Sequence, residues 1–186
     1  MSGALVASTM AGLVSSVVFV TAEPVANGQD TANGAPYSVP SAAKIGDVVI
    51  FYCLGNAQGQ GSSPPGNNWT DATRNYGVGM YTYVKKMASA SDLTATRTGT
   101  GGYVAFAVYR GAASFAVVNE TGFTRSQYHV GVVFWGSTTP PPASRRFTMN
   151  GNGTPASAII SDILPPLTYV NGTNYAQYSA IELRSQ

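Results

Sequence analysis

The chain has few charged side chains and very few of the residues on which metal and nucleophilic sites depend. Only 10% of its 186 residues are Asp, Glu, Lys or Arg, against roughly 25% in an average globular protein. Cysteine and histidine occur once each, as Cys53 and His129. A lone cysteine forms no intrachain disulfide and no thiolate metal site within one chain. The sequence therefore nominates no catalytic, cofactor-binding or metal-binding residue.

The remaining reactive groups favour structural roles. Cys53 lies in the apolar run Val48–Leu54, where a small buried side chain is expected, and His129 shares no motif with it. The eight acidic residues are spread singly, and Asp47, Asp71 and Asp92 occupy strand entries or turns, where carboxylates bond local backbone. A sheet can still bring distant carboxylates together, so a glycosidase pair or a calcium site stays an open alternative. We expect no enzyme activity and no cofactor.

Basic residues are too dispersed for a nucleic-acid footprint. The ten Lys and Arg residues leave a formal net charge of +2 and include two adjacent pairs, Lys85-Lys86 and Arg145-Arg146. Duplex binding requires a clustered basic surface. We therefore interpret both pairs as solvated strand ends or loops and expect no nucleic-acid partner.

Long uninterrupted apolar runs are also missing. The segment from Ala4 to Val20 is apolar, but Ser, Thr and Gly residues interrupt it and no basic residues precede it. A membrane span needs about 18 or more continuous apolar residues, and a signal peptide needs a basic start. The sequence therefore predicts neither a signal peptide nor membrane insertion.

Strand and turn signals are abundant. Val48–Leu54 is apolar on both faces, which predicts a central strand covered on both sides, and Met80–Met87 alternates as a half-buried strand does. Similar runs recur at the spacing typical of sandwiches and barrels, while no apolar stripe of period 3.6 appears. The sequence predicts an all-β fold with under about 10% helix. We expect a single antiparallel β-sandwich, jelly-roll-like, with roughly ten to twelve strands.

The chain is long enough for one ordinary domain. We divide it into an N-terminal strand and assembly segment, 1–35, and a β-sandwich domain, 36–186, with 1–35 either separate or part of the same domain. Residues 2–21 are apolar and contain few charges. Because an uncovered edge strand pairs with other chains, we expect this segment to be buried against another subunit or another protein of the same assembly.

The pattern of strands and loops predicts two sets of residues, one of ligand or partner contacts and one of core residues. Residues 55–68 form a long Gly- and Pro-rich loop, and loops longer than about 12 residues are usually functional or mobile. Exposed aromatic and amide side chains are suited to binding sugars or protein partners. The predicted ligand or partner contacts are Tyr76, Gln58, Gln60 and Ser62. The predicted structural core includes Phe51, Trp69, Phe106, Val108 and Phe134.

An ordered series of motifs covers roughly residues 36–111. Gly46-Asp47 precedes an apolar strand, a Pro/Gly-rich loop ends in Trp69-Thr70, a Tyr-x-Lys strand leads into Ala-Ser-Ala-Ser-Asp at 88–92, and a further apolar strand ends in Tyr-Arg-Gly at 109–111. This order resembles a β-sandwich module common among bacteriophage virion and tail-associated proteins. Members often show Pro-x-Gly-Trp-Thr, whereas Asn67-Asn68 separates Gly66 from Trp69 here.

The resemblance implies a function as well as a fold. It implies a non-enzymatic structural protein of a bacteriophage virion, an oligomeric component of the tail or head surface such as a fibre, tail or decoration protein. Its partners would be further copies of itself and other virion proteins, and it would reach the virion after synthesis in the host cytoplasm. The alternative is a receptor- or carbohydrate-binding adhesin module of a phage appendage, which would contact a host surface glycan or receptor.

Overall fold

The computed structural model describes residues 16–24, 35–55, 61–73, 80–118, 122–124, 129–135, 144–150, 157–163, 168–170 and 178–185. These ranges contain one short helix, α1 (Ala90–Thr94), and fourteen strands. The strands are β1 (Val18–Pro24), β2 (Pro36–Ser38), β3 (Val48–Leu54), β4 (Thr70–Asp71), β5 (Met80–Lys86), β6 (Thr96–Thr98), β7 (Tyr103–Arg110), β8 (Ser114–Val118), β9 (Gly122–Thr124), β10 (His129–Trp135), β11 (Ser144–Asn150), β12 (Ser157–Ile163), β13 (Thr168–Val170) and β14 (Tyr178–Arg184).

The strands form antiparallel sheets, which confirms the prediction of an all-β fold. A first sheet has the order β1-β7-β3-β5-β4, and a second sheet has the order β11-β12-β10-β14-β8. Two small ladders, β2-β6 and β9-β13, complete the described pairing. The strands outnumber the expected ten to twelve because β4 and β9 have only two and three residues, too few to show an alternating pattern.

The centre of the first sheet is the apolar strand β3. All seven of its residues are buried, as its unbroken apolar sequence predicted. It pairs with β5 on one side and β7 on the other, in regular register over its whole length. A strand in this position must be covered on both faces, and two separate hydrophobic clusters provide that cover.

The inner face of the first sheet packs against the second sheet. Val48, Ile50, Tyr52 and Leu54 of β3 point to this face and share a cluster with residues of β5, β7 and β14. From the second sheet, buried β14 side chains reach the cluster, and partly buried β8 side chains pack against it. The interface between the two large sheets is therefore one of the two cores of the molecule.

The outer face of the first sheet carries the second core. Val49, Phe51 and Cys53 of β3 point to this face, where residues of β2 and the following loop cover them. Leu93 of α1 and Trp69 of the loop before β4 pack at the margin of this cluster. Short elements thus cover the outer face, whereas a complete sheet covers the inner one.

Helix α1 begins at a capping box within the sequence Ala-Ser-Ala-Ser-Asp at 88–92. Ser89 is its N-cap: the Ser89 hydroxyl accepts from the Asp92 amide, and the Asp92 carboxylate accepts from the Ser89 amide, a complete capping box. Directly after the helix, all three residues of the threonine-rich strand β6 are exposed. This segment therefore seals the outer core while presenting a polar surface.

The N-terminal strand is an edge strand. β1 pairs with β7, with a register shift between Phe19 and Thr21. Its residues are exposed or partly buried where burial is described, in contrast to fully buried β3. Residues 1–15 lie outside the described ranges, so burial of residues 2–21 against another subunit or a virion protein remains a prediction.

Candidate functional site

Three of the four predicted contact residues, Gln58, Gln60 and Tyr76, lie outside the described residues. Ser62 is described, and it is only 3% exposed. Its hydroxyl donates to the Gly101 carbonyl at 2.7 Å and accepts from the Thr100 amide at 3.1 Å. The expectation of an exposed contact at Ser62 is therefore wrong, because these backbone bonds draw the hydroxyl into the protein.

The described part of the Pro/Gly-rich loop is attached to the scaffold at several points. The Tyr37 hydroxyl donates to the Ser63 carbonyl. The Trp69 indole Nε1 donates to the Pro65 carbonyl at 2.7 Å. Lys85 Nζ donates to the Asn67 carbonyl at 2.6 Å. Anchored in this way, residues 61–69 present only positions 66–68 as exposed.

The predicted core residues occupy different depths. Phe51, Phe106 and Val108 are at most 1% exposed, whereas Trp69 is half-buried and meets the Phe51 ring edge-on at 6.4 Å. The indole N–H requires an acceptor, and its acceptor lies in the surface loop, so Trp69 is held at the margin of the core. Phe134 lies in β10, and its side chain is outside the described part of the structure.

Two ion pairs use the charged residues of the motif series. Arg110 Nε donates to Asp47 Oδ1 at 3.0 Å and Arg110 Nη2 donates to Asp47 Oδ2 at 2.8 Å. Asp47 is 2% exposed and also accepts from the Lys44 amide at 2.9 Å. Its hydrogen bond raises the pKa of Arg110 above the ordinary value. This bidentate pair joins the turn before β3 to the end of β7.

The second pair joins β5 to α1. Lys85 Nζ lies 2.6 Å from Asp92 Oδ1, while Asp92 Oδ2 accepts from the amides of Ala88 and Ser89 at 2.9 and 3.0 Å. The Lys85 hydrogen bond, followed by that from the Ala88 amide, lowers the pKa of Asp92 to about 2. Asp71 likewise accepts from the nearby Thr73 amide at 2.7 Å. The prediction that Asp47, Asp71 and Asp92 bond local backbone is confirmed.

An ionic cluster around a buried carboxylate joins the two sheets. Asp162 of β12 is 1% exposed; it accepts from the Tyr109 hydroxyl at 2.6 Å and from Arg146 Nε at 2.7 Å. The Arg146 guanidinium also lies over the Phe19 ring, 4.5 Å from its centroid. Burial, together with the Asp162 charge, raises the pKa of Tyr109 well above its ordinary value. The cluster thus connects β1, β7, β11 and β12 through side chains.

Sequence reasoning missed this cluster. Arg146 was expected to be a solvated strand-end or loop residue, and it is an exposed residue near the start of β11; its ion pair with Asp162 was not foreseen. The signal available in the sequence was Asp162, a single charge in the apolar stretch 159–163. A buried carboxylate requires a cation or hydrogen-bond donors, but nothing in the sequence spacing identifies Arg146 and Tyr109 as its partners.

A surface cleft of about 330 Å³ lies beside the outer core. It is lined by Glu23, Tyr37, Ser38, Val39, Pro40, Ser41 and Phe106. Glu23, Ser38 and Ser41 are exposed, so the cleft offers a carboxylate and two hydroxyls next to apolar side chains. Among described atoms, the Glu23 carboxylate accepts one hydrogen bond, from Thr21 Oγ1 at 3.3 Å. The lining comes from three separate parts of the sequence, which is why no sequence pattern revealed it.

Within the described residues, no three His, Cys, Asp or Glu side chains come together in a way that would hold a metal ion. Cys53 is fully buried and its sulfur accepts from the Ser62 amide at 3.2 Å. No helix in the described ranges has the length and apolarity needed to cross a membrane. Compared with known proteins, the chain matches no family model, no curated protein and no solved structure.

Proposed function

We propose that this protein is a non-enzymatic structural component of a bacteriophage particle, an oligomeric protein of the tail or head surface. In this proposal the two large sheets form a jelly-roll-like sandwich that serves as a rigid building block. Further copies of the chain and other virion proteins are its partners, and the virion is its location.

The observation that carries this proposal is that the motif residues bind one another or nearby groups of the protein. The four charged residues Asp47, Lys85, Asp92 and Arg110 belong to the motif series that resembles phage structural modules, and each is bound to another member of the set. Trp69 and Tyr109 of the same series are likewise engaged by hydrogen bonds. Residues that hold one another in this way stabilise a scaffold, which is what a particle component requires.

Particle association is the decisive test. Lysate from cells infected with the phage that carries this gene is separated on a density gradient, and the chain is followed by mass spectrometry and by immunogold labelling of purified particles. We expect the chain to co-sediment with particles and the label to mark one surface structure. A chain that stays in the soluble fraction, with unlabelled particles, would overturn the proposal.

The surface cleft favours a second function, adhesion to a host glycan or receptor. A carboxylate and two hydroxyls beside apolar side chains form the mixed polar and apolar lining typical of small-ligand sites. Its volume of about 330 Å³ lies at the lower end of the range for such sites, roughly 300–1,000 Å³. A saccharide unit, with hydroxyls that donate to Glu23 and an apolar ring face, matches this lining.

Glycan binding is tested by substitution in the cleft. Glu23→Gln and Ser41→Ala are compared with wild type on an array of host-surface glycans, with Thr96→Ala on exposed β6 as the control. We expect one or more glycans to bind wild type and the control but not Glu23→Gln. Retained binding by both cleft variants would exclude the cleft as the adhesion site, and turnover of a polysaccharide by pure protein would overturn both non-enzymatic functions.

A further inference from the structure

The two large sheets end in four edge strands: β1 and β4 in the first sheet, β11 and β8 in the second. An edge strand carries a row of backbone donors and acceptors that another chain can pair with. Natural proteins protect such edges with charged residues, proline, bulges or very short strands. An edge strand without any of these protections is therefore a candidate for pairing with another chain.

Three of the four edges are protected. β4 has only two residues, one of which is Asp71. β1 contains a register shift and ends at Pro24. β11 also contains a register shift and carries the adjacent pair Arg145 and Arg146. Each of these features opposes pairing with a further strand.

β8 has none of these protections. Its sequence, Ser-Phe-Ala-Val-Val, contains no charge and no proline, and it pairs with β14 at five successive positions without a register shift. Phe115 and Val117 pack against the inner core. Within the described residues, no strand pairs with the other edge of β8. This edge is regular, apolar and ready to accept another strand.

We infer that β8 pairs with β8 of a second copy of this chain, antiparallel and around a two-fold axis through Ala116. In this register Phe115 lies opposite Val117 of the partner, so the core-facing side chains of both copies remain on one face. A two-fold contact places identical patches together, and an uncharged strand does so without like-charge repulsion. The two second sheets then form one continuous ten-stranded sheet. The inference deepens the proposed assembly role and rests on it.

The first test places charges on the two-fold axis. In the paired strands the two Ala116 Cα atoms lie about 5 Å apart, so Ala116→Lys brings two ammonium groups together and Ala116→Glu two carboxylates. By light scattering, we expect wild type at twice the 19.3 kDa chain mass, each variant alone as a monomer, and a dimer in their equimolar mixture. Val18→Lys, at a 54% exposed position of the protected edge β1, should remain dimeric.

A second test does not depend on tolerance of a charge. Ala116→Cys places two thiols within the Cα separation that a disulfide accepts, about 4.4–6.8 Å. With a mild thiol oxidant, we expect most of this variant to become a covalent dimer, while Val18→Cys and wild type, whose Cys53 is buried, remain uncrosslinked. A monomeric wild type, a dimeric Ala116→Lys protein, or equal crosslinking at positions 18 and 116 would each overturn the inference.

These results are independent of the particle experiment. A chain found in purified particles but monomeric in solution, with no crosslink at position 116, refutes the β8 pairing and leaves the proposed function intact. A crosslinked β8 dimer of a chain that is absent from particles supports the pairing but refutes the virion role.

Discussion

The two faces of the first sheet are held in different ways. On the inner face, directional polar contacts cross to the second sheet: Tyr109 to Asp162 at 2.6 Å and Thr82 to Ser179 at 2.5 Å.

On the outer face, aromatic rings dominate. The Phe51 ring contacts four other rings, with centroid distances of 5.3 to 6.4 Å: those of Tyr37, Trp69, Tyr83 and Phe106. Polar contacts on that side bind covering segments to the sheet, as from Ser62 to Cys53 and in the Lys85–Asp92 pair at the margin.

The two kinds of contact have different effects: the aromatic contacts of the outer face stabilise the fold, and the polar contacts of the inner face fix the orientation of the two sheets. Apolar burial is roughly proportional to area and has little directional preference, so the aromatic face contributes free energy without fixing how a second layer is oriented. Buried hydrogen bonds to a carboxylate do fix orientation, because a misaligned sheet leaves polar groups unpaired at high cost. The inner face needs such bonds because its cover is a large sheet, whereas the outer face is covered by short segments attached at their own ends.

The largest loss of stability should follow removal of the ring at the centre of the outer face. Phe51→Ala leaves a cavity among four aromatic neighbours and should lower the free energy of unfolding by about 3–5 kcal/mol. Trp69→Ala removes a half-buried ring at the margin and should cost less, about 2 kcal/mol. Urea denaturation monitored by circular dichroism measures both. Equal losses would show that centre and margin of the aromatic face do not differ.

A smaller loss should follow an added methyl group where the outer core meets the loop. Gly102 has φ +78°, and a Cβ there would lie 2.6 Å from the Leu54 carbonyl oxygen. Gly102→Ala should therefore cost about 2–4 kcal/mol, from left-handed backbone strain and the steric clash together. Gly46→Ala is the matched control, because φ is +93° but the added Cβ would meet nothing within 4 Å. Equal denaturation midpoints for the two variants would contradict the clash.

The inner face is tested by neutralising its carboxylate. Asp162→Asn keeps the shape and one acceptor but weakens the bonds from Arg146 and Tyr109, and should cost about 2–3 kcal/mol. Glu182→Gln is the matched control, because it neutralises a partly buried carboxylate paired with exposed Arg184, and it should cost less, about 1 kcal/mol. Comparable losses in the two variants would mean that the ionic cluster around Asp162 contributes no more to the free energy of unfolding than the Glu182–Arg184 pair does.

The smallest effect is expected at the margin of the outer face. Because the pKa of Asp92 is lowered from 3.8 to about 2 in the folded protein, its contribution is fully present above pH 4 and disappears as the pH falls towards 2. Asp92→Asn should lower the free energy of unfolding by at most about 1 kcal/mol at neutral pH. It should also flatten the loss of stability between pH 4 and 2, measured by urea denaturation at each pH. If Asp92→Asn loses as much stability between pH 4 and 2 as wild type, Asp92 does not contribute to the acid sensitivity of the protein.

Local sequence patterns were easier to interpret than contacts between distant strands. The run Val48–Leu54 is a local pattern, and it correctly predicted a strand that is buried on both faces. The inner cluster depends on Arg146 and Asp162, which meet Tyr109 only after several strands have paired. The burial of Ser62 was not foreseen for a related reason: the backbone partners of its hydroxyl lie almost forty positions away in the chain. Local chemistry is visible in a sequence, whereas partners brought together by topology are not.

The position of β14 has a consequence for how the protein is made. β14 is the last described strand, yet it lies inside the second sheet, between β10 and β8. During synthesis β8 and β10 are made before β14, so each lacks this neighbouring strand until residues up to Arg184 have been added. At typical translation speeds of about 5–20 residues per second, the interval between them lasts a few seconds. The second sheet therefore closes late, and a nascent chain halted before β14 exposes apolar strands to any protein that finds them first.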